Sequence, residues 1–107
     1  MDSAQYLQRV LDAYRATPGT CGAVRKPDRD FARRLFDRGV PLAAVENAFV
    51  LAATRRLVRP ADAPRLGVIR SLAYFSPVID EVLESRVSDT YYDYLRHRMR
   101  QTLPPNT

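Results

Sequence analysis

The chain has 107 residues, 46% of them hydrophobic, and a formal net charge of +5. That length suits one domain with a core that needs no metal or disulfide staple, and the single cysteine, Cys21, excludes an internal disulfide and a cysteine-built zinc site. No apolar run approaches the roughly 20 residues that cross a bilayer, and a start with Asp2 and Gln5 lacks the pattern of a signal peptide, so no membrane association and a cytoplasmic location are expected.

Tyr6, Leu7, Val10, Leu11 and Tyr14 recur at helical spacing and predict a first helix over 3–16, capped by Asp2 or Ser3. Thr17-Pro18-Gly19 stops it, and the breaker-rich stretch through Cys21, Gly22, Arg25, Lys26 and Pro27 reads as a loop. A second helix is expected from Asp28. It buries Phe31, Ala32, Leu35 and Phe36, carries Arg33, Arg34, Asp37 and Arg38 elsewhere on its surface, and stops at Gly39. Pro41 opens a third helix that runs to about Arg59 without a breaker. Its apolar residues surround most of its circumference, which predicts a helix enclosed by others. Arg55, Arg56 and Arg59 close it at the negative end of its dipole.

After the turn at 59–64, Val68, Ile69, Leu72 and Phe75 predict a fourth helix, interrupted at Ser76-Pro77 by a kink or by a fresh start capped by Ser76. Val78, Ile79, Val82 and Leu83 pack the next stretch. Ser88 and Asp89 read as the cap of a last helix in which Tyr91, Tyr92, Leu95 and Met99 share a face while Arg96 and Arg100 point away. The fold class expected is all-α: a compact bundle of four to six helices with a central, largely apolar third helix. Residues 1–102 form one domain centred on Val45, Phe49 and Ala52, and residues 103–107 form a frayed tail.

Sixteen of the seventeen cationic residues are arginine; Lys26 is the exception. Arginine presents a flat, permanently charged fork suited to phosphates and carboxylates, so the composition points to binding. Thirteen alanines accompany the arginines, and GC-rich coding would enrich both. Charge is uneven along the chain: +2 over 1–27, +3 over 28–59, −2 over 60–85 and +2 over 86–107.

Catalytic parts are scarce, with one histidine and one cysteine far apart in the chain. His97 sits between Arg96 and Arg98, and it reads as an exposed helical residue. Asp28 and Asp30 occupy a helix start, where exposed amides favour anions, and Asp80 with Glu84 forms a solvated edge. No enzyme activity, metal or cofactor is expected.

Gly19-Thr20-Cys21-Gly22 resembles the four-residue glycine loop of K-homology domains, which clamps a nucleic-acid backbone. Those domains set a sheet beside the loop; no strand is predicted here, so an interhelical loop is expected. The second and third helices, joined at Gly39-Val40-Pro41, resemble a helix-turn-helix, with Leu35, Gly39 and Val45 at matching offsets. Base-reading positions would hold Ala43, Ala44, Glu46 and Asn47, so the third helix is expected to serve the core instead.

The residues expected to hold a DNA or RNA phosphate backbone are Arg33, Arg34, Arg38, Arg55, Arg59, Arg96 and Arg100. Asp30 with Arg34 and Asp93 with Arg96 have the spacing of helix-surface ion pairs. Tyr91, Tyr92 and Tyr94 have rings that can stack on bases, with core packing expected for at least two. The function expected is that of a small nucleic-acid-binding accessory protein. The alternative is a helical interaction module, an adaptor or inhibitor, that docks a protein partner or a second copy through the acidic segment and the Tyr91 face.

Overall fold

In the computed structural model, which describes residues 1–85 and 89–102, Asp2 starts α1 (Ser3–Ala16) by a reciprocal cap. Its Oδ1 accepts from the Gln5 N–H at 2.8 Å while the Gln5 side chain accepts from the Asp2 N–H at 3.2 Å, so two otherwise orphaned amides are satisfied. One residue per turn, Tyr6, Val10 and Tyr14, faces the core. α2 (Lys26–Asp37) begins two residues before the expected Asp28, because Pro27 is at home in a first turn. Asp28 sits in that turn, and its Oδ2 accepts from the Arg25 N–H at 2.9 Å.

Gly39, at φ 73°, ends α2 in the left-handed region. The Val40 N–H then reaches the Leu35 carbonyl at 3.0 Å and the Gly39 N–H the Phe36 carbonyl at 2.9 Å, the paired bonds of a Schellman stop. The buried Tyr6 hydroxyl donates to the Val40 carbonyl at 2.8 Å and ties α1 to this turn. α3 (Leu42–Leu57) follows, with Ala44, Val45, Asn47, Ala48, Phe49, Val50, Ala52 and Ala53 all buried. Three helices enclose it, as its even apolar distribution predicts: α1, α4 (Ser76–Glu84) and α5 (Asp89–Thr102) all pack against it. The fold is all-α, and Val45, Phe49 and Ala52 lie in its core as expected.

The fourth helix does not begin at Val68. Residues 64–71 carry no helix; Ile69 instead donates its N–H to the Gly19 carbonyl at 2.7 Å and accepts from the Cys21 N–H at 2.9 Å, an isolated parallel bridge. Backbone groups that bond the 19–21 loop cannot also make helical bonds, and tertiary contact overrides the apolar spacing. A 3₁₀ turn, Leu72–Phe75, leads into α4. Pro77 lies in the first turn of α4, so the interruption is a fresh start, although Ser76 makes no side-chain cap. The Ser88 cap and the 103–107 tail lie outside the described residues.

Tyr14, Phe49 and Phe75 meet at the centre, with ring centroids 6.4, 6.1 and 4.8 Å apart. The Tyr14 hydroxyl is buried and has no hydrogen-bond partner among the described residues. Burial pushes its phenol up to about 12, with the Asp28 charge and the neighbouring Cys21 thiol acting in the same sense. The folded state therefore resists ionisation: its advantage is complete below the free phenol value of about 10 and is lost as pH rises through about 12. Tyr14→Phe is expected to cost less than about 1 kcal/mol at neutral pH, because no hydrogen bond is broken. It is also expected to unfold at higher pH than the parent in alkaline titrations followed by circular dichroism; an unchanged alkaline midpoint would contradict this assignment.

Candidate anion-binding surface

The arginines expected to meet phosphate are distributed over four environments. On α2, Arg33 bonds Asp37 at 3.4 Å and Arg38 reaches Asp80 of α4 at 3.8 Å. Sequence spacing pairs Arg34 with Asp30, but Lys26 takes that carboxylate at 3.0 Å. Arg34 lies instead over the Phe31 ring, 5.6 Å from its centroid.

Arg55 is committed most firmly. Both its terminal nitrogens bond the two carboxylate oxygens of Glu81, Nη1 to Oε2 at 2.8 Å and Nη2 to Oε1, a fork-to-fork pair joining α3 to α4. The guanidinium holds the Glu81 carboxyl below its ordinary range and is itself pushed up by the same bond. A lowered carboxyl keeps this pair intact above the free glutamate value of about 4.3 and releases it only as pH falls through the lower folded value. On α5, Arg96 bonds Asp93 at 2.8 Å, as the spacing predicts. Arg96 and Arg100 come together on one groove of about 220 Å³, beside Met99 and the carboxylate-bearing Glu46.

Arg59 occupies a different setting. A cavity of about 320 Å³ is lined by Arg56, Arg59 and Arg65 together with Pro18, Gly19, Ala53, Leu57 and residues of the 60–66 turn. No carboxylate lines it, and no ion pair to these three arginines occurs among the described residues. Arg56 is anchored there: it donates to the Gly67 carbonyl at 2.7 Å and lies 5.9 Å from the centroid of Tyr74. A Cβ on Gly19 would come within 3.0 Å of the Arg56 Nε, so glycine permits this close approach.

Arg56 and Arg65 are not among the site residues expected from sequence. Arg56 and Arg59 are three apart, the interval that places side chains on one face of the expected third helix, so that signal was present, although α3 ends at Leu57 and not at Arg59. Arg65 joins them only because the turn of Pro60 and Pro64 folds back, for which the sequence carries no periodic mark.

The tyrosines also divide differently from expectation. Tyr92 is buried with Leu95, but Tyr91 is 46% and Tyr94 53% exposed. A single position separates Tyr91 from Tyr92 and turns it away by about 100°, past the edge of the buried stripe. Both exposed rings border a second groove, of about 380 Å³, between α3 and α5. Its wall is formed by Leu51, Leu57, Val58, Leu95 and Met99, with Thr54, Arg55 and Arg98 also on the lining. Among the described residues no group of three or more metal-ligating side chains occurs, and no helix is long and apolar enough to cross a membrane. No protein-family model, curated protein or solved structure matches the chain.

Proposed function

We propose that this chain is a small, non-catalytic nucleic-acid-binding accessory protein that holds phosphates with surface arginines. The observation that carries the reading is the cavity with three arginines and, among the described residues, no carboxylate on its lining. The C-terminal dipole of α3 places roughly half a negative charge near Arg59, which three guanidinium charges outweigh. Arg34, Arg59 and Arg100 are the members of the expected set outside any ion pair among the described residues, and Arg56 and Arg65 join them. The pairs of Arg33, Arg38 and Arg96 are exposed, and such pairs contribute only about 0–1 kcal/mol, so a phosphate can displace the carboxylate. Arg55 is the weakest member, because a two-pronged bond must break before it can serve.

The test is an electrophoretic binding series across duplex DNA, single strands and structured RNA at two salt concentrations. Log affinity is expected to fall linearly with log salt, and Arg59→Glu with Arg65→Glu is expected to lower that slope by about one unit for each phosphate no longer held. Absence of any retained complex at about 50 mM salt overturns the proposal. The apolar α3–α5 groove, with Val58 64% exposed, favours the protein-docking alternative as the second reading. Self-association together with failure to bind any nucleic acid would select it.

A further inference from the structure

Resting on the nucleic-acid reading, we infer that the bound form is a single strand, its phosphates held by the cavity of Arg56, Arg59 and Arg65 and its bases stacked on Tyr91 and Tyr94. Three observations converge. Leu57 lines both the arginine cavity and the tyrosine groove, so the phosphate-holding and ring-bearing surfaces adjoin across one side chain. Among the described residues neither lining contains an aspartate or glutamate, whereas the neighbouring recess beyond Arg55 contains Glu81. The charge therefore favours an anion most at the arginine cavity, whereas at the third recess Glu81 cancels Arg55.

One ring is held from behind. Tyr91 meets the buried Tyr92 edge to face at 5.8 Å between centroids, while Tyr94, 53% exposed, borders the same groove. A ring braced as Tyr91 is offers an aromatic face with less entropy to lose on binding. A duplex keeps its base faces stacked inside and exposes only backbone and base edges, so it offers no face for exposed tyrosines to stack on. A single strand offers both phosphates and open base faces, and each base stacked on an aromatic side chain strengthens binding regardless of its identity. The groove and the cavity, at about 380 and 320 Å³, are each of the size that admits a small organic group.

The experiment compares a fluorescent single strand of about ten nucleotides with the same strand annealed to its complement, at about 50 mM salt. The single strand is expected to bind more tightly, and Tyr94→Ala and Tyr91→Ala are each expected to weaken it about five- to one-hundredfold. Tyr94→Phe should retain binding, since the ring face and not the hydroxyl carries the contact. Duplex binding should not respond to any of the three. Both positions are about half exposed, so the variants should fold, and circular dichroism verifies that they do. Salt-dependent binding that is equal for both forms, or indifferent to both tyrosines, overturns the single-strand inference and leaves the arginine reading standing. Loss of all binding to either form in the parent chain overturns the reading itself.

Discussion

Asp28→Ala is expected to destabilise the protein by about 3 kcal/mol and to lower Tm by on the order of 15 °C. The carboxylate is only 2% exposed and works in two directions. Oδ2 accepts from the Arg25 N–H at 2.9 Å and starts α2, while Oδ1 accepts from the Leu72 N–H at 2.8 Å, a residue 44 positions away. Hydrogen bonds to an ionised acceptor contribute about 1.5–3 kcal/mol each, and part of that gain offsets the cost of keeping the carboxylate out of water. Alanine removes both bonds and leaves the buried Leu72 amide without an acceptor. The 3₁₀ turn that carries Leu72 and Phe75 into the core then loses its anchor.

Urea unfolding of Asp28→Ala and Asp28→Asn separates the two contributions. Asparagine keeps one oxygen acceptor and should recover part of the loss. The Tyr14 phenol supplies a second readout, because the Asp28 charge helps to hold it up at about 12 and its removal should let it ionise earlier. A loss below about 1 kcal/mol for alanine, at the level of an ordinary surface change, would show that the Leu72 bond does not hold in solution.

Phe75→Ala is the second large effect, at about 3–5 kcal/mol. Phe75 is 0% exposed, and its ring meets Phe49 edge-on at 4.8 Å, Tyr14 at 6.1 Å and its neighbour Tyr74 at 5.1 Å. Truncation therefore removes the apolar burial of one large ring and the edge-to-face contacts with three others, which add about 0.5–1.5 kcal/mol per pair. The cavity left behind is bounded by α1 and α3, both held elsewhere by the rest of the core, so little of it can collapse. Against a typical total of about 5–15 kcal/mol, such a loss removes a large share of the stability. Phe75→Leu should retain roughly half of the stability difference, and near-equal urea midpoints for parent and alanine variant would remove Phe75 from the centre of the core.

Much of the fold was legible locally. Asp2 as a cap, Gly39 after Asp37, and the four-residue spacing of Tyr6, Val10 and Tyr14 each act within a turn or two of helix, where neighbours in sequence are neighbours in space. The enclosed third helix was legible for the same reason: apolar residues around most of its circumference require apolar surroundings on most sides. The segment around Val68 misled because apolar spacing records which residues are buried and not which backbone partner is nearest. Ile69, Leu72 and Phe75 are buried as that spacing implies, but the amides of Ile69 and Leu72 are claimed by Gly19 and Asp28.

The candidate site shows the same division. Arginine abundance, net charge and helix-surface pairs such as Asp93 with Arg96 are properties of the sequence and its local periods. The fates of individual arginines were decided in three dimensions. Arg55 is captured by a glutamate 26 residues away and Arg38 by an aspartate on another helix, while Arg56, Arg59 and Arg65 collect around one cavity. A guanidinium sits at the end of a long, flexible stem, and the strongest acceptor within its reach depends on which helices lie alongside. Helix type, caps and the burial of α3 thus followed from short-range chemistry, whereas the choice between a paired and an unpaired cation awaited the packing of α3 against α4 and the return of the 60–71 segment onto the 19–21 loop.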